Sequence, residues 1–300
     1  MTITLRRIAL EILNKVEKEG IHADEILGKY FKSKSELSSQ EKAFITELVY
    51  GILRWRDSID WVIEQFSTYP HRRISRQVKN ILRIGIYQVL YLSRTPVPAS
   101  VSATVDLAKG LTSEKMASMV NGLLRNVERS RDRINYPLLQ ENPVKAISIQ
   151  YSHPAWLVKK WLNQYGIEET ISLCKANNAP PPFTIRTNTL KITRGKLIEH
   201  LLKEGISGEA TQYSPEGIIL YHPADTTRLS SFQKGWFFVQ DEAAQMISYL
   251  VNPQPGEYIL DLCAAPGGKT THLAQLMNNQ GHFYPEATFS APVIERLNPR

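Results

Sequence analysis

Cysteine is close to absent from this chain. Its 300 residues hold two, Cys174 and Cys263, too few for a disulfide framework and without the spacing of a metal-ligand set. No metal is expected, and a reducing cytoplasm is the expected compartment. Long apolar runs are missing too. None approaches the ~20 residues that a membrane-spanning helix needs, so no membrane partner is expected. The opening stretch MTITLRRIALEIL places Arg6 and Arg7 inside its apolar residues, unlike a secretory signal. Internal repeats and low-complexity tracts are absent, which excludes a repeat architecture. What remains is a globular composition, 42% hydrophobic and 22% charged, in a chain long enough for two or more domains with cores of their own.

Acid is the scarcer charge, with 29 Asp and Glu against 36 Lys and Arg, a net +7. The excess is uneven. Residues 1–145 hold 23 Lys and Arg against 16 Asp and Glu, whereas residues 146–300 hold 13 of each. A basic half joined to a neutral half is what a protein shows when its first half meets a polyanion; a solvated basic surface gives the same count. Arg125, Arg129, Arg131 and Arg133 form a basic run that reads equally as a phosphate contact or as cations at a helix end.

Residues 3–130 carry helical periodicity throughout, enough for six or seven helices. Phe44, Leu48 and Ile52 make one row, and Ile45, Val49 and Leu53 the next. Val78–Leu92 is apolar on most sides and is expected as the central buried helix. Pro96 and Pro98 break the chain before a helix over Val101–Lys109 that Gly110 closes. Met116, Met119, Val120, Leu123, Leu124 and Val127 line another helix behind Thr112, Ser113 and Glu114. Residues 131–152, with Pro137 and Pro143, read as a polar connector. HPAWLVKKWLNQYG starts a helix at Pro154 that Gly166 stops, and a second follows over Glu168–Asn178. FTIRTNTL alternates as a strand, Lys196–Glu204 is a helix, and GIILY is a strand, together a small α+β subdomain. WFFVQ is a further strand, followed by the helix DEAAQMISYLV with Asp241 as its cap.

Residues 258–271, YILDLCAAPGGKTT, carry the chemistry. A short strand from Tyr258 to Leu262 ends at Asp261, a turn runs through Ala264, Ala265, Pro266, Gly267 and Gly268, and Lys269 and Thr270 open a helix. A strand, a glycine turn and a helix N-terminus form a nucleotide-type site, because glycine admits a ligand close to the backbone and the first helical turn has free N–H groups. A phosphate loop needs glycine five positions before Gly268; Cys263 stands there, and Pro266 stiffens the loop. The turn of a class I methyltransferase is the better match.

DLCAAPGGKT closely resembles motif I of the RNA cytosine-5 methyltransferases. The likeness extends along the chain. ELVYGILR, VNGLLRN, HPAWLVKKW, IRTNTL, VQDEAAQ and DLCAAPGGKTTH occur in the order and spacing of the bacterial small-subunit rRNA cytosine-5 methyltransferases of the Sun/Fmu type, over roughly residues 1–281. The resemblance implies a multidomain chain: an all-α NusB-like RNA-binding domain over 1–130, a connector over 131–152 and a small α+β RNA-binding subdomain over 153–235. The start of an α/β Rossmann-like methyltransferase domain over 236–281 and an aberrant tail over 282–300 complete it. It further implies S-adenosyl-L-methionine as cofactor, 16S rRNA as partner, and methyl transfer to cytosine C5 through a cysteine thiolate that attacks C6. Cys263, Ala264, Ala265, Pro266, Gly267, Gly268 and Lys269 align with the cofactor turn, and Asp261 is expected to order that turn.

Catalytic residues cannot be carried over. The family's catalytic cysteines lie in DAPCS-like and TCS-like strings, and neither string occurs in this sequence. Cys263 belongs to the cofactor turn and Cys174 reads as a packed thiol. After Gly281 the sequence HFYPEATFSAPVIERLNPR has no acid-ended apolar strand. The expectation is a premature end, a truncated methyltransferase domain with Ile259 and Leu262 unpaired and poorly covered, and a catalytically inactive RNA-binding fragment.

Overall fold

A computed structural model describes residues 3–34, 36–70, 73–92, 95–221 and 226–285, in two units, Met1–Pro180 and Pro181–Arg300. The first is helical: α1 (Ile3–Glu19), α2 (Ala23–Ser33), α3 (Ser39–Arg54), α4 (Arg56–Phe66), α5 (Arg76–Leu90), α6 (Val97–Leu111), α7 (Glu114–Arg129), α8 (Pro143–Gln150) and α9 (Ala155–Asn178). The least polar stretch is the centre. Val78, Ile81, Leu82, Ile84, Ile86 and Val89 of α5 are buried, and α1, α3, α4, α6 and α7 pack around them. The rows read from α3 point the same way, with Phe44, Ile45, Leu48, Val49 and Ile52 buried. One aliphatic core runs through α1–α7. Inside it Arg83 is bidentate on Asp60, with Nε and Nη2 donating at 2.7 and 2.6 Å, and it also donates to Glu17.

Three boundaries differ from expectation. α6 begins at Val97, because Pro98 in a first turn gives up only an N–H that has no helical acceptor. Gly110 lies inside α6, and the helix is capped at Thr112 in extended geometry. The polar stretch 131–152 contains α8, whose cap Asn142 accepts from the Lys145 amide at 3.0 Å and whose Ala146 and Ile147 are buried. Two buried apolar side chains in eight residues leave too weak a period to read. α9 is broken where expected: Gly166 has φ +77°, a backbone region that residues with a Cβ avoid.

The second unit is built on a four-stranded antiparallel sheet in the order β2-β3-β1-β4, from β1 (Phe183–Thr187), β2 (Gly208–Ala210), β3 (Gly217–Leu220) and β4 (Phe237–Val239). Ile185 of β1 faces Ile218 in register on β3 and Val239 on β4. β1 is central and buried on both faces, and successive side chains point opposite ways. Ile185 joins Leu197 and Leu201 of α10 (Arg194–Lys203) in a core with Ile218, Leu220 and Phe237. A short α11 (Ser230–Gln233) leads into β4. Asp241 caps α12 (Glu242–Val251), its Oδ1 accepting from the Ala243 amide at 2.9 Å.

β5 (Tyr258–Asp261), α13 (Gly268–Leu276) and β6 (His282–Pro285) follow. β6 corrects the expectation of an unpaired β5: the two strands are parallel, with Ile259 opposite Phe283. HFYP pairs despite its proline because Pro285 is the last residue of β6, where a missing backbone N–H ends the ladder rather than interrupting it. Cover is thin at Leu262, as expected, while Ile259 is half-buried. Tyr258, Leu260 and Leu262 are 70%, 58% and 63% exposed. The remainder of the tail, 286–300, lies outside the described residues.

Candidate functional site

The turn between β5 and α13 is held by one carboxylate. Asp261 Oδ1 accepts from the Cys263 amide at 3.0 Å, and Oδ2 accepts from the Thr270 hydroxyl at 2.6 Å. Both oxygens are committed to the turn, the ordering role read from sequence. The seven contiguous candidate residues then take distinct positions. Ala264 is buried and its carbonyl accepts from the Gly267 amide at 2.5 Å. Cys263, Ala265, Pro266 and Lys269 are exposed, and the Ala265–Pro266 bond is cis. Gly267 has φ +101° as the cap of α13, which requires glycine. Gly268 is half-buried. The Thr271 amide makes the helix's first bond, to Gly267, so the amides of Gly268, Lys269 and Thr270 are the free donors of a helix start.

Behind the turn stands a residue that pattern reading passed over. Arg186 of β1 is fully buried. Its Nη1 donates to the Gly268 carbonyl at 2.6 Å and to Gln240 Oε1, and its Nη2 donates to the Thr271 hydroxyl at 2.9 Å. The guanidinium lies 5.2 Å from the ring centroid of Phe238, its register partner on β4. Burial pulls its pKa down to about 10, with Glu216 and Tyr249 pulling the other way, so it is charged at neutral pH. The available signal was a charged residue in the strand FTIRT at a position that must face inward.

Two glutamines and an ionisable cluster complete the support. Gln275 Nε2 donates to Thr189 Oγ1 at 2.8 Å and to the Thr187 carbonyl at 3.2 Å. Gln245 Nε2 donates to the Gln240 carbonyl at 2.9 Å. Tyr249 donates to Glu216. His272 is fully buried, with Nε2 3.8 Å from Glu216 Oε2, and among the described residues neither ring nitrogen has a hydrogen-bond partner. Burial is the main cause holding the His272 pKa below its ordinary value. Burial pushes the Glu216 carboxyl up, but the adjoining His272 and the Tyr249 hydroxyl outweigh it and the pKa is lowered.

Cys174 is not set up as a nucleophile. Cys174 is fully buried, and burial raises its thiol pKa, the reverse of what thiolate chemistry needs. Cys263 is exposed in the turn. Among the described residues no cluster of three or more His, Cys, Asp or Glu could hold a metal ion, and no helix is long and apolar enough to cross a membrane.

An all-helical domain, a small antiparallel sheet and the acid-ended first strand, glycine turn and helix of a Rossmann-like domain define a multidomain methyltransferase-type chain. Comparison with known proteins narrows this class. Residues 4–129 match the NusB family, 153–227 the ferredoxin-like domain of RsmF/B-like methyltransferases, and 248–288 the 16S rRNA methyltransferase RsmB/F family. In this order of domains the chain is similar to the RsmB/F-type methyltransferases. It is 36% identical to a probable ribosomal RNA small subunit methyltransferase B of Synechocystis, over 94% of this chain and 63% of that protein. It is 35% identical to the corresponding probable enzyme of Bacillus subtilis, over 93% and 61%. The chain thus spans a little over three-fifths of these curated relatives. The crystal structure of PH0851 superposes over 99% of this chain and 66% of its own, with a TM-score of 0.70 and 24% identity, a likeness of fold.

Proposed function

We propose that the chain supplies RNA docking and the first cofactor-holding segment for methylation of cytosine C5 in 16S rRNA, in the cytoplasm. In this reading 1–130 and 153–235 meet RNA, 131–152 joins them, and 236–281 starts the methyltransferase domain. The carrying observation is a turn held by polar side chains of its own and from behind: Asp261, Thr270 and Arg186 bond the turn itself. The outer face is left with glycine backbone, free amides and the exposed Cys263, Ala265 and Pro266. Such a face fits S-adenosyl-L-methionine, which supplies an electrophilic methyl group when bound. Gly267 and Gly268 let its methionine and ribose parts approach the backbone, and Cys263, Ala264, Ala265 and Pro266 give van der Waals contact. Lys269 adds positive charge at the helix start.

The polypeptide of 300 residues, taken alone, acts as an RNA-binding fragment. The observation favouring this is a basic helical unit together with a sequence in which neither a DAPCS-like nor a TCS-like string occurs. Labelled S-adenosyl-L-methionine incubated with the purified chain and small-subunit rRNA is expected to transfer no methyl group, while filter binding retains RNA less well as salt rises. Methyl transfer would overturn the fragment reading; salt-independent retention would overturn phosphate-led docking.

A further inference from the structure

Resting on the RNA-docking reading, we propose that the helical unit takes an unpaired RNA strand on one defined surface, with phosphates in a basic pocket and a base stacked on Trp156. The pocket, about 560 Å³, is lined by Arg56, Arg76, Lys79 and Arg83 with Glu17 and Val16. Arg83 is saturated by Asp60 and Glu17 and serves as a buried wall. Arg56 and Arg76 are half exposed, and their nearest acids, Asp57 and Glu17, stand at 3.8 Å. Lys79 makes no ion pair among the described residues. These long, weak pairs can be exchanged for phosphate.

Trp156 is the second observation. It is 69% exposed, whereas the other four tryptophans are half-buried and each has a partner. Trp55 stacks on Tyr91, Trp161 and Trp236 lie against His153 and His200, and Trp61 donates to the Asn135 carbonyl. Packing therefore gives no reason for an indole at 156. Lys159 and Lys160, three and four residues on, are on the same side of α9, exposed and without ion pairs among the described residues. The segments that carry pocket and platform meet where the Asp57 amide donates to Ser152 Oγ at 3.0 Å. Arg56 is one residue from that bond and Trp156 is four. A cationic groove beside an aromatic face is the chemistry that holds single strands without base-edge readout.

The test is fluorescence anisotropy of the full 300-residue chain with a labelled unpaired oligoribonucleotide and with the same strand in a duplex. The unpaired strand should bind more tightly. Trp156→Ala should weaken it roughly tenfold, the order expected for one stacked base, with Trp156→Phe restoring most of the loss. Arg76→Ser combined with Lys79→Ser should flatten the slope of log affinity against log salt by about 1.4, two contacts at ~0.7 each. Trp156 and Arg76 are exposed and Lys79 is half-buried, and circular dichroism should confirm unchanged folding. No RNA binding by the unaltered chain would sink the docking reading itself. Binding that survives these substitutions, or equal affinity for the duplex, would overturn this surface alone.

Discussion

The two units are held by different kinds of interaction. In the helical unit an aliphatic core extends from Leu5 to Val127, and directional bonds such as Arg83–Asp60 lie beside it. In the second unit the aliphatic core is confined to one face of the sheet. The other face meets α12 and α13 through Arg186, Gln240, Gln245, Thr271 and Gln275. Apolar burial is non-directional and tolerates small shifts. A buried network fixes geometry but fails abruptly when one member is lost. The turn that must be held in place is on the directional side.

The sharpest way to break this comparison is Arg186→Leu. It leaves the Gln240 oxygen without its donor, takes the guanidinium off the Gly268 carbonyl and removes a positive charge that acts on Glu216, and should destabilise the second unit by about 4 kcal/mol. Hydrogen exchange should quicken in α13 and leave α5 protected; equal loss in both would contradict it. Next, Ile81→Ala empties a fully buried site and should cost about 3 kcal/mol in the helical unit, read as a lower urea midpoint by far-ultraviolet dichroism.

Acid should separate the units further. His272 has a lowered folded pKa, so as pH falls past its ordinary 6.5 the unfolded chain takes the proton first and stability declines. Glu216, also lowered, adds a second decline below about 4.5. Both losses run downward in pH. His272→Phe should remove the upper step from the urea midpoint against pH, and an unchanged profile would show that His272 does not govern it. The smallest effect is Asp241→Ala, which removes the cap of α12 and should cost about 1 kcal/mol, measured as a modest shift in the thermal midpoint of the second unit.

What the sequence made legible follows the same division. α5 was readable because its apolar residues outnumber any alternative arrangement, and the cap of α12 because Asp241 acts within two residues of itself. The turn was readable because Asp261, Gly267 and Gly268 act locally. Arg186 was not, since its acceptor at Gly268 is a backbone carbonyl 82 residues away, and no local pattern marks such a pairing. β6 was missed because its partner strand, not its composition, makes HFYP extended. α8 was missed because burial of Ala146 and Ile147 comes from tertiary packing against α9.

The bond between Arg186 and Gly268 also sets a timetable. At synthesis rates of about 5–20 residues per second, the 82 residues between them take about 4 to 16 s to appear. For that interval the guanidinium of β1 has Phe238 and Gln240 to meet but not its partners on α13. The sheet can pair its four strands in the meantime, but the inner face that Arg186 occupies closes only when α13 arrives. The turn therefore becomes ordered only after the four-stranded sheet that holds it, and β6, which pairs with β5, comes later still.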